Sequence, residues 1–204
     1  MMKRFTVILF AILSLFSLSA EESATALMER VSAKFQAAKS VTASYSLTSS
    51  GESLSGTLTV SGNKYTVTSQ ALSTWFDGKT QWSYSPAARE VNITEPTVEE
   101  QRQVNPFAII TSVNKLYTAS YDGAANGRNR KVVLTPKNRK SDITRIVITL
   151  DTNTLFPSVI SITDRKKRAT VIKVSKVSIG GSLPTSTFTW DSKKYRGVEV
   201  VDLR

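Results

Sequence analysis

The chain has 204 residues and a formal net charge of +11, from 27 Lys and Arg against 16 Asp and Glu. It contains neither Cys nor His. Those absences exclude a disulfide framework, Ser-His-Asp and Cys-His catalysis and the usual zinc sites, so a core of ordinary side chains must hold the fold.

The first four residues carry Lys3 and Arg4, and an apolar run follows from Phe5 to about Leu18. It ends in Ser19-Ala20 before Glu21-Glu22. A charged start, a short apolar stretch and small residues before a polar one form the pattern of a cleaved secretory signal. The run is shorter than the roughly 20 residues a membrane span needs, although an uncleaved N-terminal anchor is the alternative reading. The expectation is a signal peptide over 1–20 and one domain over 21–204, since no linker or repeat divides the rest.

Ala24, Leu27, Met28, Val31, Phe35 and Ala38 recur at helical spacing, with Ser23 placed to cap the helix. After Ser40 the period becomes two. Val41, Ala43, Tyr45 and Leu47 alternate with Thr and Ser, and Leu54, Gly56, Leu58 and Val60 alternate again. Asp77-Gly78, flanked by Trp75-Phe76 and by Trp82 and Tyr84, is a strong hairpin signal. The spacing predicts an antiparallel meander of about six strands up to Ile93.

Glu95-Pro96-Thr97 interrupts the pattern and opens a polar stretch, Val98–Val104, that reads as a loop or a short helix. Asn105-Pro106 then starts a second helix carrying Phe107, Ile109, Ile110 and Val113. So short a helix is unstable alone and must pack on the sheet. Further strands are expected at Leu116–Tyr121, Val132–Leu134, Ile143–Leu150, Leu155–Ile162 and Ala169–Ile179. Phe188-Thr189-Trp190 and Val198–Val201 close the chain. The predicted fold is mainly β (α+β), a curved antiparallel sheet with an N-terminal and a short inserted helix on one face.

Several segments, in order, resemble the LolA-type lipoprotein carriers. Trp75-Phe76-Asp77-Gly78-Lys79-Thr80-Gln81-Trp82-Ser83-Tyr84-Ser85-Pro86 is similar to a hairpin of that family, and Asn105-Pro106-Phe107-Ala108-Ile109-Ile110 to the Pro-Phe helix that follows it. Val132-Val133-Leu134-Thr135-Pro136-Lys137 resembles a strand end of the family. Phe188-Thr189-Trp190 with Gly197-Val198-Glu199-Val200-Val201-Asp202 resembles its closing segment. The resemblance implies an incomplete β-barrel with a helical lid over an apolar cavity. It also implies a periplasmic chaperone that takes acylated lipoproteins from an inner-membrane ABC transporter to an outer-membrane acceptor. Two departures stand out. Ser61-Gly62-Asn63 occupies the place of a Lys-Arg-Pro run whose arginine is tied to lid closure, and Ser192-Lys193 replaces a Pro-Pro.

A carrier of this kind needs no catalytic residue and no cofactor. The residues expected to line its cleft are Tyr45, Leu47, Leu58, Val60, Trp75, Trp82 and Tyr84 from the sheet, with Phe107, Ile109, Ile110 and Val113 from the lid. Core packing accounts equally well for any one of them, and the sequence leaves open which strand face points inward. Basic runs at Arg128–Lys131, Lys137–Lys140, Arg165–Arg168 and Lys193–Arg196 read as solvated loops, or as contacts to anionic lipid headgroups or to an acidic partner. No nucleic-acid motif accompanies them. Catalytic readings are poor: Glu99 and Glu100 are adjacent and share no helix face, and Asp151, Asp164 and Asp191 sit at turns. The competing reading is an envelope interaction or lipid-sensor domain that binds a protein partner. The expected state is a monomer.

Overall fold

The computed structural model describes residues 22–97, 100, 101, 105, 107–123 and 127–204. The expected signal peptide over 1–20, Pro106 and parts of the 98–104 stretch and of the 122–129 loop lie outside the described residues.

Helix α1 spans Ala24–Ala37. Its start is set by Ser23, whose Oγ accepts the Ala26 N–H at 3.1 Å and satisfies one of the unpaired donors of the first turn. Ala24, Leu27, Met28, Val31 and Phe35 form the buried stripe. Ala38 is already extended, and the chain passes directly into the sheet.

Among the described residues twelve strands form one sheet. The first six are β1 (Ser40–Ser49), β2 (Glu52–Ser61), β3 (Lys64–Ser69), β4 (Ser73–Phe76), β5 (Gln81–Ser85) and β6 (Glu90–Thr94). Helices α2 (Phe107–Thr111) and α3 (Val113–Leu116) follow as the lid. The strands resume as β7 (Tyr117–Tyr121), β8 (Asn129–Pro136), β9 (Ile143–Asp151), β10 (Pro157–Asp164), β11 (Ala169–Gly180) and β12 (Glu199–Asp202). Their order is β12-β6-β5-β4-β3-β2-β1-β11-β10-β9-β8-β7, so β1 and β11 join the two meanders and the sheet stays open at β12 and β7.

Register decides what faces the helices. Val41, Val60, Tyr65 and Phe76 are successive cross-strand partners, so they share one face. On the other half Val132, Ile148, Ile160 and Ile172 do the same. These residues, except the half-buried Val60, are buried in one core with the α1 stripe and with Ile109, Ile110 and Val113 of the lid. The sheet therefore curls around its helices, an incomplete barrel filled from within.

One pairing departs from the antiparallel expectation: β12 runs parallel to β6. The cause is the route of the chain. β11 ends beside Ser40 in mid-sheet, and the next strand lies at the far edge, so a long crossover must connect them. Its 3-10 turn, Thr185–Phe188, rests on β3 and β4. There the Thr66 hydroxyl donates to the Thr187 carbonyl at 2.8 Å. Thr66 has the opposite parity from Tyr65, so this segment straps the outer, convex face of the sheet. The Phe188-Thr189-Trp190 segment thus belongs to the strap, not to the sheet.

Candidate functional site

The C-terminal end of α1, the first three strands and the lid do not close on one another. They leave a cavity of about 560 Å³. Phe35, Gln36 and Ala38 line it from α1, and Val41, Val60 and Tyr65 from the concave face. Gly62 and Asn63 border it at the β2–β3 turn. The lid side is made by Asn105, Phe107, Ala108, Thr111, Ser112, Lys115 and Leu116, with Gln101 beside them. A volume of this size lies within the roughly 300–1,000 Å³ of small-molecule sites. Among the described residues the wall is chiefly aliphatic and aromatic, with amides and hydroxyls at intervals and the charged Lys115.

Each wall is held by its own contacts. The Phe107 ring stacks on Phe35 with centroids 5.0 Å apart, and Phe35 in turn meets Phe156 edge-on at 6.0 Å. Asn105 Oδ1 accepts the Phe107 N–H at 3.0 Å, so the side chain caps α2. Polar contacts between α1 and the lid are few. The Thr111 carbonyl accepts from the Gln36 amide at 3.2 Å, and Glu29 accepts from the Asn114 amide at 3.3 Å. On the sheet side the Tyr65 hydroxyl donates to Gln81 Oε1 at 2.7 Å, and its ring packs against Phe76 at 5.0 Å. Burial holds the Tyr65 hydroxyl well above the usual tyrosine range, so it is a neutral donor at every physiological pH.

Of the residues expected to line a cleft, the structure brings Val60 and Phe107 together at this cavity. Leu58, Ile109, Ile110 and Val113 are buried in the shared core behind it. Tyr45 and Leu47 are half-buried on the same concave face, farther along β1. Tyr45 lies over Gly56, its partner across β1 and β2, where a Cβ would collide with the Thr68 carbonyl and come within 2.7 Å of the Tyr45 hydroxyl. Gly56→Ala is therefore expected to cost about 1–3 kcal/mol by overpacking. A denaturant midpoint that falls at constant slope would show it, whereas a wild-type midpoint would mean that Tyr45 and Thr68 relax freely.

The expected placement of Trp75, Trp82 and Tyr84 needs correction. Trp75 pairs with Trp82 and has the opposite parity from Phe76, and Tyr84 shares that outer face. Trp75 and Tyr84 pack edge-on against Tyr195 of the strap, at 5.6 and 4.8 Å. Trp190 lies 6.1 Å from the same ring. Beneath them Val91 and Phe188 are fully buried although neither belongs to the main core. The physical reason is local composition. In β1–β3 the outer face is Thr and Ser with Lys64, but in β4–β6 it carries Trp75, Trp82, Tyr84, Val91 and Ile93, which water would not cover favourably. Apolar residues on both faces of a strand imply a layer on both sides, and that signal was available at Trp75-Phe76. Phe35 of α1 and Tyr65 of β3 also line the cavity and are absent from the expected set, because each is visible in the sequence only as a member of a buried stripe.

Among the described residues no group of His, Cys, Asp or Glu could hold a metal ion, and no helix is long and apolar enough to cross a membrane. The latter says nothing of β-strand spans.

Residues 13–166 match the family described as outer membrane lipoprotein carrier protein LolA. A curated outer-membrane lipoprotein carrier protein of Actinobacillus pleuropneumoniae serotype 7 (strain AP76) is 26% identical over 128 residues. That match spans 63% of this chain and 56% of the relative. An uncharacterised conserved protein from Thermus thermophilus superposes with a TM-score of 0.58 at 13% identity, covering 89% of this chain and 99% of its own. A DUF1329 family protein from Desulfovibrio piger does so with a TM-score of 0.50 at 12% identity, covering 82% and 98%. At such identities these two structures speak for the fold alone. The family match extends over most of the chain, through α1, the lid and the strands up to β10, and on that match the chain belongs to the LolA family of outer membrane lipoprotein carrier proteins.

Proposed function

We propose that the protein is an exported carrier that shelters the acyl chains of lipoproteins in the cavity between the lid and the concave sheet. In this reading residues 1–20 are a signal peptide, and residues 21–204 form a single domain that works in the periplasm. It receives cargo from an inner-membrane ABC transporter and delivers it to an outer-membrane acceptor. The observation that carries the reading is the cavity itself, walled by Phe35, Val41, Val60, Tyr65, Phe107 and Leu116.

The physics suits the task. Each methylene moved from water to an apolar wall gains about 0.8 kcal/mol, so an acyl chain needs shelter to cross an aqueous space. Such contacts are non-directional, and release needs only that one wall move. The lid is that wall: it meets α1 through one aromatic stack, a handful of hydrogen bonds and the buried Ile109, Ile110 and Val113, so opening exchanges one set of non-directional apolar contacts for another and calls for no bond-making chemistry. A larger cargo, with several acyl chains, requires the lid to swing away from Phe35.

Native mass spectrometry of the chain, secreted with its own N-terminus and isolated from a bacterial envelope without detergent, tests this. The expected spectrum shows a mass starting at Glu21 with an added acylated species that is lost on mild activation. A bare mass that also fails to take up a triacylated peptide would count against a carrier and in favour of a protein-binding or sensor role.

A further inference from the structure

Two basic turns that lie far apart in sequence form one surface. The β8–β9 turn carries Lys137, Arg139 and Lys140, and the β10–β11 turn carries Arg165 to Arg168; all are exposed. Arg165 staples them together. Its backbone N–H donates to the Asp142 carbonyl at 2.9 Å, its Nε donates to the Ser141 carbonyl at 2.8 Å, and its guanidinium also reaches the Arg139 carbonyl. A long cation spent on backbone carbonyls gains no charge partner there, so the positive field of both turns stays directed to solvent. The acids within the patch are Asp142 and Asp164, and Asp164 is occupied by Arg168 at 2.7 Å.

The surface adjoins the lid. Lys137 donates through Nζ to the Asn114 carbonyl at 2.7 Å and through its backbone to the Leu116 carbonyl at 2.8 Å, and both acceptors belong to α3. Lys115 and Leu116 of that helix line the cavity. On the opposite side a small recess of about 210 Å³ lies between Arg168, Asp164, Ile162, Thr170 and the β1–β2 turn at Ser49-Ser50, adding hydroxyl groups of the kind that can donate to phosphate oxygens.

We propose that this pair of turns docks the protein on a bilayer rich in anionic phospholipid, with the lid next to the membrane surface. The occupant follows from chemistry. The patch is an exposed cluster of cations from two turns, with a small hydroxyl-lined recess at Arg168 and only the half-buried Ile162 as an apolar neighbour, which suits an array of phosphates better than an apolar protein partner. The inference does not require the cavity to carry acyl chains.

The test is co-sedimentation of the full chain with vesicles of phosphatidylcholine alone and of an equal mixture of phosphatidylcholine and phosphatidylglycerol. The expected result is binding to the mixed vesicles only, weakening steeply with salt because screening shortens the field. Each cation at such a surface contributes roughly fivefold in partitioning. Reversing Arg139, Lys140, Lys166 and Lys167 to Glu should therefore reduce binding at least about a hundredfold. Reversing Lys39, Lys193, Lys194 and Arg196, equal in charge and elsewhere on the surface, should leave most of it. Equal losses in the two variants would overturn the proposal in favour of diffuse net charge. Failure of the wild type to prefer anionic vesicles would overturn it too, whatever acidic protein it captured. Uptake of a fluorescent fatty acid should be unchanged in the first variant, which separates this surface from the carrier reading.

Discussion

Phe107→Ala is expected to weaken uptake of a long-chain fluorescent fatty acid by at least tenfold. The ring forms part of the cavity wall, is 4% exposed and is stacked on Phe35. Contact with a buried side chain of this size is worth about 1.5–3 kcal/mol, and 1.4 kcal/mol is a factor of ten in affinity. The same change also removes core packing, at about 3–5 kcal/mol of stability. Val60→Asn therefore accompanies it, since Val60 is half-buried at the cavity and an amide there makes the wall polar with less loss of core. Trp82→Phe serves as the contrast on the outer face. Titration with the fatty acid, on variants whose circular dichroism matches the wild type, gives the answer. Both cavity variants should bind weakly and Trp82→Phe normally. If folded Phe107→Ala and Val60→Asn bind as tightly as the wild type, the cavity is not the site of uptake.

The second large effect concerns the strap. Phe188→Ala is expected to cost about 3–5 kcal/mol, because a ring that is 1% exposed is lost from a layer too thin to close over the gap. The readout is favourable: the chain has three Trp, and all of them, Trp75, Trp82 and Trp190, belong to this outer cluster. Urea unfolding followed by tryptophan emission should show a lower midpoint, with red-shifted emission before the main transition if the strap peels first. Because β12 reaches the sheet only through the strap, its parallel pairing with β6 should loosen in step, seen as faster amide exchange at Glu199, Val201 and Leu203, whose N–H groups face β6. Fatty-acid uptake should survive, since the cavity lies on the other face. A loss under about 1 kcal/mol would mean that the outer layer is decoration and not a second core.

Much of this fold is legible in local pattern. The stripe from Ala24 to Phe35 and the Ser23 cap become α1 within a residue of the expected span. The six strands before Pro96 and the first five of the six after Leu116 lie where alternation and turn residues put them. Asp77-Gly78 makes its hairpin because the Asp77 carboxylate accepts the N–H groups of Lys79 and Thr80 at 2.9 and 2.8 Å while Gly78 takes a positive φ. These are short-range effects, carried by residues within a few positions of one another. The short lid was legible for the same reason: Asn105 caps it and its apolar residues demand a partner.

The site was only half legible. The sequence by itself determined the period of each element, the absence of thiol and imidazole chemistry, and the positive charge of the turns. It also determined that Val60 and Phe107 would be apolar. Tertiary structure decided that these two meet across one cavity with Phe35 and Tyr65, because that depends on the packing of α1 against the lid and on a register running through three strands. It decided likewise that Trp75, Trp82 and Tyr84 face outward. Strand parity says only that they oppose Phe76. Which face is inner depends on the long crossover from β11 to β12, whose route is set by contacts with strands about a hundred residues earlier, such as Thr66 to Thr187 with a separation of 121. The stapling of the two basic turns by Arg165 is of the same kind. Local periodicity encodes the elements, but contacts that close long loops encode the faces and the surfaces they share.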